Sequence, residues 1–192
     1  MATRSMINTA AVAAAALALP VCIGLLAPAA HADDGGTFGP ACSSVPKEGS
    51  GSLAGMAQDP VATAASHNPA LSTLVAAVKK AGLVDTLNNA QNITVFAPTN
   101  DAFKKIPKAD LAKVLANKDQ LTKILTYHVV GEKIAPNQLS KGSFKTLEGA
   151  NLTTDGSDGN YKVNGTANIV CGNIKTANAT VYLIDSVLMP PK

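Results

Sequence analysis

The stretch NITVFAPTNDAF, residues 92–103, passes from an apolar run through a proline into hydroxyl, amide and carboxylate groups. Residues 93–96 predict a strand that is buried on both faces, because large side chains occupy both sets of alternating positions. Pro98 ends the strand, and Thr99 is a natural N-cap for a helix whose first turn holds Asp101. The polar cluster is therefore predicted to be a structural corner rather than a catalytic site.

The beginning of the chain has the features of an export signal. One cation and no acid precede an almost wholly apolar run, and residues 30–32, Ala-His-Ala, have the small-x-small form that signal peptidase cuts. We predict a cleaved signal peptide over 1–32 and a mature N-terminus at Asp33. Two alternatives stay open, namely retention as a membrane anchor, which the prolines and glycine in the run disfavour, and lipidation of Cys22.

The composition of the mature chain excludes several classes of partner. Removing 32 residues from 192 leaves 160, which is enough for one domain with one core. The loss of Arg4 leaves 15 lysines against 13 acids, so the basic footprint of a nucleic-acid-binding protein is absent. The mature chain also lacks arginine and tryptophan, the residues that dominate tight protein interfaces. We expect a monomer that binds any partner weakly.

Cleavage leaves two cysteines, Cys42 and Cys171, in an exported chain. An even pair in that compartment predicts a disulfide, which would close a loop over most of the mature sequence. A zinc pair is the alternative, although no CxxC or HxxxH arrangement accompanies the two cysteines. The Gly-, Ser- and Pro-rich residues 33–56 predict a flexible N-terminal arm, and 57–192 predict the folded domain.

The rest of the chain divides into a helical part and a strand-rich part. Apolar residues recur at helical spacing over 71–78, 111–115 and 121–125. From Tyr127 onward, short segments are separated by Gly, Asn and Asp, as in antiparallel strands and hairpins. DGSDGN at 155–160 predicts a hairpin connection rather than a calcium loop, since no glutamate closes it. The predicted class is α+β.

Two further segments identify a family resemblance. They are ILTYHVV at 124–130 and ANATVYLIDSVLMPP at 177–191. Together with 94–103 they resemble, in order and spacing, the signature segments of the fasciclin domain, in particular the small secreted single-domain antigens of mycobacteria. The resemblance implies a seven-stranded β-wedge or sandwich flanked by short α-helices, a secreted or cell-surface location, and a role in adhesion.

The resemblance also suggests where a partner would bind. Tyr127 and His128 match the Tyr-His pair that animal matrix members of the family are thought to use toward integrins. The family's Asn-Pro-Asp-Ile integrin motif has no counterpart in this sequence. We therefore expect a partner-binding role for Tyr127 and His128, or a structural one in the core, without integrin recognition.

A second candidate surface comes from the lysines. Lys104, Lys105 and Lys108 begin a stripe that continues in the next two predicted helices and exceeds the neighbouring acids in number. Such a stripe would attract anionic polysaccharide or lipid headgroups and would lose that attraction in salt. The alternative is an ordinary solvated helical face.

Enzymatic functions lack the necessary residues. The mature chain has two histidines, His67 and His128, and no Gly-x-Ser-x-Gly turn. A triad of His128, Asp185 and a serine is the remaining catalytic alternative. We predict no catalysis and no cofactor or metal. We predict a host-interaction or adhesion module, and the alternative is an extracellular carrier of a lipid or other apolar ligand, which would need a deep apolar pocket.

The terminal segment places a carboxylate in an apolar pattern. Val181, Leu183 and Asp185 share one face if the strand continues through them. A buried carboxylate needs donors, and the turn at Thr99 and Asn100 offers free amides and a helix N-terminus. We predict that Asp185 hydrogen-bonds to that turn.

Four Asn-x-Thr sequons occur at Asn92, Asn151, Asn164 and Asn178. They are expected to matter only if the cell that produces the protein glycosylates its exported proteins.

Overall fold

The computed structural model describes residues 36–191. The predicted signal peptide over 1–32, the Asp33 N-terminus and the Cys22 alternative lie outside the described residues. The helices are α1 (Leu53–Met56), α2 (Val61–His67), α3 (Ser72–Ala81), α4 (Val84–Asn89), α5 (Asn100–Lys104), α6 (Lys108–Ala116) and α7 (Lys118–Tyr127), with 3-10 turns at Pro40–Ser44, Pro69–Leu71 and Pro136–Ser140. None of these helices within 36–191 is long and apolar enough to cross a bilayer.

Within residues 36–191, seven strands form one sheet, which confirms the predicted α+β architecture. They are β1 (Ile93–Pro98), β2 (Val129–Val130), β3 (Lys141–Lys145), β4 (Asn151–Ser157), β5 (Asn160–Val163), β6 (Ala167–Lys175) and β7 (Ala179–Ile184). Their order is β2-β1-β7-β6-β5-β4-β3, and β1 and β7 run parallel while the other neighbours are antiparallel. The sheet curls until Val130 of β2 bridges Thr146, which follows β3, so the two edges meet at this point.

The two faces of the central strands pack into two apolar layers. Alternate side chains of a strand point to opposite faces. Val95 and Val181 therefore pack under the helices, whereas Phe96 and Tyr182 pack inside the curl of the sheet with ring centroids 5.6 Å apart. All six residues of β1 are buried, which confirms the strand predicted from residues 93–96.

Local signals in the sequence define several element ends. Thr99 accepts a hydrogen bond from the backbone N–H of Ala102 and begins α5 as predicted, and Gly82 ends α3 with a φ of 75°. Strands β4 and β5 form the predicted hairpin across Asp158 and Gly159.

The N-terminal segment differs from the flexible arm predicted from its composition. Phe38 pairs with Gly172 of β6 through two backbone hydrogen bonds, of which the Gly172 N–H to Phe38 carbonyl distance is 2.7 Å. Val45 and Met56 are buried in the layer under the helices. The glycines of the segment permit close approach rather than disorder, since a Cβ at Gly39 would collide with the Val170 carbonyl.

The structure joins Cys42 and Cys171 in a disulfide with a Cα–Cα distance of 4.9 Å. Cys42 lies in the 3-10 turn Pro40–Ser44, and Cys171 lies in β6. The bridge confirms the predicted disulfide and fixes the N-terminal segment to the sheet.

Candidate functional site

A cavity of about 240 Å³ lies between α2, α3 and α4 on one side and the sheet on the other. The apolar lining from α2, α3 and α4 is Val61, Ala62, Ala64, Ala65, Leu74, Val75, Val78, Val84 and Leu87, with Leu83 from the turn between α3 and α4. The lining from the sheet includes Val95, Ala97, Val129, Ile174, Val181 and Leu183. All of these residues except Val75 belong to the core layer under the helices or pack against it.

The sequence of α2 explains why space is left. This helix reads VATAASH, and its alanines line the cavity where larger residues would fill it. Protein interiors are otherwise close-packed, with few voids larger than a water molecule. Exposed members of the lining, Ser66, Lys79, Thr86 and Leu147, mark where the cavity meets solvent. The arrangement is an apolar pocket with a polar rim.

Two buried polar residues, Asn68 and His128, are among the described residues that line the cavity. Asn68 accepts a hydrogen bond from the Ala70 N–H at the start of the 3-10 turn after α2. His128 ends α7. All the other buried members of this lining are apolar, so the described pocket has almost no polar interior.

His128 is a core residue rather than a surface contact. Its Nδ1 lies 2.7 Å from the Ile124 carbonyl oxygen and must donate to it, and its Nε2 accepts from the Leu188 N–H at 2.9 Å. Both ring nitrogens are engaged, and the ring is 2% exposed. Burial lowers the pKa of His128 to about 4, although the bond to Ile124 opposes that shift. His128 is therefore neutral at physiological pH.

The buried neutral histidine predicts acid sensitivity. The unfolded chain protonates His128 near its ordinary pKa, whereas the folded protein resists protonation down to about pH 4. The contribution of neutral His128 to stability is thus fully present above the unfolded pKa. We expect the free energy of unfolding to fall by about 3 kcal/mol between about pH 7.5 and pH 4. Urea unfolding across that range measures the loss. The His128→Gln variant should lose most of this dependence, and an unchanged pH profile in the variant would contradict the assignment.

Tyr127 is buried beside the histidine and faces the other core layer. Its hydroxyl donates to the Asn151 carbonyl at 3.2 Å and accepts from Asn164 Nδ2 at 2.8 Å. With 3% exposure it presents no surface to a macromolecule. The structure thus supports the structural interpretation of the Tyr-His pair, and the prediction that Tyr127 and His128 contact a partner is not supported by their position.

The lysines lie on the surface as predicted, but several are neutralised. Lys104 contacts Asp101 at 2.8 Å, and Lys105 contacts Asp185 at 3.0 Å. Lys108 is exposed at the beginning of α6 and has no carboxylate within ion-pair distance among the described residues. The first three lysines therefore present less free charge than their number indicates.

Asp185 does not contact the Thr99–Asn100 turn, so that prediction is wrong. Its carboxylate accepts from the backbone and side-chain amides of Asn168 at 2.9 Å each and also contacts Lys105. Strand β7 ends at Ile184, and the alternation therefore stops before Asp185, whose side chain is 25% exposed. Burial acts to raise its pKa, but the hydrogen bonds from Asn168, Lys105 and Ser186 outweigh burial and lower the pKa to about 2.

A backbone hydrogen bond, and not the Asp185 side chain, connects the first and last of the family signature segments, residues 94–103 and 177–191. The Thr99 N–H donates to the Ile184 carbonyl at 3.1 Å. Asn100 turns the other way, and its side chain donates to the Pro69 carbonyl and accepts from the Thr73 N–H, which positions the beginning of α3. The turn is structural, as predicted, with different partners.

The catalytic triad alternative lacks the required geometry, because both ring nitrogens of His128 are engaged by Ile124 and Leu188 and neither contacts Asp185 or a serine among the described residues.

Asn178 is a residue whose importance the sequence did not reveal. It was noted as a sequon, but its side chain is buried. Its Oδ1 accepts from the Val61 N–H at 2.8 Å, and its Nδ2 donates to the carbonyls of Leu87 and Ala90 at 2.8 and 2.6 Å. One amide thus satisfies the beginning of α2 and the end of α4, the two helices beside the cavity. The burial also makes Asn178 inaccessible to a glycosyltransferase in the folded protein.

No group of three or more His, Cys, Asp or Glu side chains in the described part of the chain is arranged to hold a metal ion. The site that the geometry presents is the apolar cavity.

The fold has a counterpart among solved structures. A FAS1 domain pair from the insect cell adhesion molecule Fasciclin I matches with a TM-score of 0.58, over 71% of this chain and 52% of that chain. The sequence identity is 20%, so this likeness shows the fold alone. The sheet and its short helices are those of a FAS1 domain.

Sequence comparison makes the assignment specific. The fasciclin domain family matches residues 69–190. The immunogenic protein MPB70 of Mycobacterium bovis is 46% identical over the full length of both chains. The cell surface glycolipoprotein MPB83 of the same species is 52% identical over 74% of this chain and 66% of that protein. Protein sll1483 of Synechocystis is 45% identical over 66% of this chain and 71% of that protein. The chain belongs to the fasciclin domain family.

Proposed function

We propose that this chain is an exported fasciclin-domain protein without catalytic activity that binds a small apolar molecule in the cavity between α2–α4 and the sheet. The observation that carries the proposal is the apolar space of about 240 Å³ between these helices and the sheet. Concave apolar pockets with few polar groups are the usual form of small-molecule sites. The proposed activity is reversible binding and release.

The energetics support an occupant. Empty core volume destabilises a protein by about 24 cal/mol per Å³, so an unfilled space of 240 Å³ would cost up to roughly 6 kcal/mol. The cost is an upper limit because exposed residues such as Lys79 and Leu147 line the mouth. A ligand that fills the space recovers part of that free energy through apolar contact.

The proposed location outside the cell is supported by the predicted signal peptide, the disulfide and the names of two relatives. One relative is called an immunogenic protein and another a cell surface glycolipoprotein. A disulfide persists in oxidising compartments.

A cavity-filling substitution tests the proposal. The probe is α-methylstyrene, a small neutral apolar molecule. Val78→Phe places an aromatic ring from α3 into the cavity and should weaken binding of this probe by at least about tenfold, because the same space cannot hold the new ring and the probe. Chemical-shift titration by NMR measures the dissociation constant. The control is Ala76→Phe, which adds the same ring on the exposed side of α3. If the wild-type protein fails to bind the probe, or if both variants bind equally, the proposal is wrong.

Surface interaction remains the second candidate, favoured by the exposed lysines Lys104, Lys105 and Lys108. In this case a monomer would bind a cell-surface, matrix or cell-wall component weakly, in an adhesion-type or host-interaction role. Binding to anionic polysaccharide or anionic vesicles that disappears at high salt would favour it. Binding of apolar probes that is insensitive to salt favours the carrier.

A further inference from the structure

One side-chain amide on the cavity wall has an unused hydrogen-bond donor. Asn68 is 2% exposed and lines the cavity, and its Nδ2 has no hydrogen-bond partner among the described residues. A buried polar group without a partner costs about 1–3 kcal/mol. Such a group is uncommon in a folded protein and marks a position where a ligand can supply the missing acceptor.

The orientation of this amide follows from its other contact. Asn68 Oδ1 accepts from the Ala70 N–H at 3.0 Å, so the carbonyl end of the amide is fixed on the backbone of the 3-10 turn Pro69–Leu71. The NH₂ end is the one left over. An exchange of the two ends would oppose two donors at Ala70, and the assignment is therefore determined by the hydrogen bonds.

The other polar side chains on the described wall that are not exposed have partners. Both nitrogens of His128 are engaged by Ile124 and Leu188. The Thr126 hydroxyl donates to the Thr122 carbonyl at 2.8 Å, and the Thr176 hydroxyl donates to the Ala179 carbonyl at 3.1 Å. Asn68 is thus the buried lining residue with a donor to spare, and it offers hydrogens rather than lone pairs.

We propose that Asn68 Nδ2 donates a hydrogen bond to the bound molecule, and that the ligand is neutral and largely apolar with one oxygen acceptor at its buried end. A carbonyl or ester oxygen meets this requirement. A dry cavity of about 150 Å³ binds benzene, so a space of 240 Å³ suits a buried portion of roughly ten non-hydrogen atoms. Among the described residues, the buried part of the cavity wall holds no charged group that could offset the desolvation of an ion. The ligand is therefore neutral.

This inference rests on the proposed function, and two isosteric probes distinguish the hydrogen bond to Asn68 from apolar binding in the cavity. Acetophenone and α-methylstyrene have the same shape and differ in a C=O against a C=CH₂ group. In the Asn68→Ser variant the serine can still cap the 3-10 turn but does not reach the ligand. We expect acetophenone to bind this variant about tenfold more weakly than it binds the wild type, and α-methylstyrene to bind both within about twofold.

The controls use the same titrations. Asn89→Ser makes the same substitution on the exposed surface of α4 and should change neither dissociation constant. Benzoate should bind the wild-type protein at least about tenfold more weakly than acetophenone because its carboxylate would be desolvated. In the wild type, acetophenone should shift the side-chain NH₂ proton resonances of Asn68 further downfield than α-methylstyrene does, since the two rings contribute alike and the hydrogen bond is the difference; this tests the contact even if the variant folds poorly.

The outcomes distinguish the two claims. If neither neutral probe binds the wild type, the proposed function is overturned together with this inference. If both probes bind but Asn68→Ser weakens them equally, or the Asn68 NH₂ resonances respond alike to both, the hydrogen bond is excluded and the apolar site stands. If benzoate binds as tightly as acetophenone, the ligand is not restricted to neutral molecules.

Discussion

Replacing Cys42 and Cys171 together by alanine is expected to lower the free energy of unfolding by about 3–5 kcal/mol. The bridge closes a separation of 129 residues, so its loss releases the unfolded chain from a constraint that spans almost the whole domain. It also removes the covalent link between the turn Pro40–Ser44 and β6. Urea denaturation of the two proteins measures the difference.

Reductant provides the control for this prediction. It should destabilise the wild-type protein and leave the double variant unchanged, because the variant has no bridge in the folded domain to lose. Limited proteolysis should cut the variant first before Val45, where the segment would be held by the Phe38–Gly172 pairing and local packing alone. Equal urea midpoints for wild type and variant would show that the bridge contributes little.

The local predictions that succeeded relied on residues whose role depends on their immediate neighbours. Thr99 caps α5 because a hydroxyl that directly precedes a helix can accept a hydrogen bond from a backbone N–H of the first turn. Residues 93–96 form a buried strand because the side chains on both faces of the strand are large. The helical spacing over 121–125 likewise corresponds to α7, and the change to strands after Tyr127 corresponds to β2. In each case neighbouring residues in the sequence are enough to favour one local structure over the alternatives.

The errors concern contacts between distant segments. The two-residue alternation does not predict the partner of Asp185, because β7 ends at Ile184 and the carboxylate of the next residue accepts from Asn168. The N-terminal segment was predicted to be flexible because glycine-rich composition does not distinguish a mobile chain from one that must approach a strand closely, as Gly39 approaches Val170. Tertiary contacts, and not local preference, decide both cases.

The cavity could not be predicted for a related reason. An amphipathic helix shows the same apolar pattern whether it packs tightly or leaves space beneath it. The alanines of α2 were the available signal, since small residues facing a sheet fail to fill the volume between the layers. Whether neighbouring side chains of α3 and α4 fill that volume depends on the distance between elements, which the sequence does not specify.

The helices beside the cavity are held by one side chain, and this predicts a large effect. Asn178 lies between β6 and β7 and binds the first N–H of α2 and the last carbonyls of α4. An asparagine can satisfy both helix ends because its amide carries an acceptor and two donor hydrogens. Without it, the Val61 N–H and the Leu87 and Ala90 carbonyls become buried and unpaired.

Asn178→Ala should therefore lower the free energy of unfolding by about 3–5 kcal/mol, since several buried groups lose their partner at once. Asn89→Ala, on the exposed surface of α4, should change it by less than about 0.5 kcal/mol. Hydrogen exchange adds a local measurement, in which the Val61 amide and the amides of α4 should lose more protection than those of β1. Binding of α-methylstyrene should weaken in the folded variant as the two helices loosen. A variant with wild-type stability and unchanged exchange at Val61 would show that Asn178 does not hold these helices, and the cavity would then need another explanation for its shape.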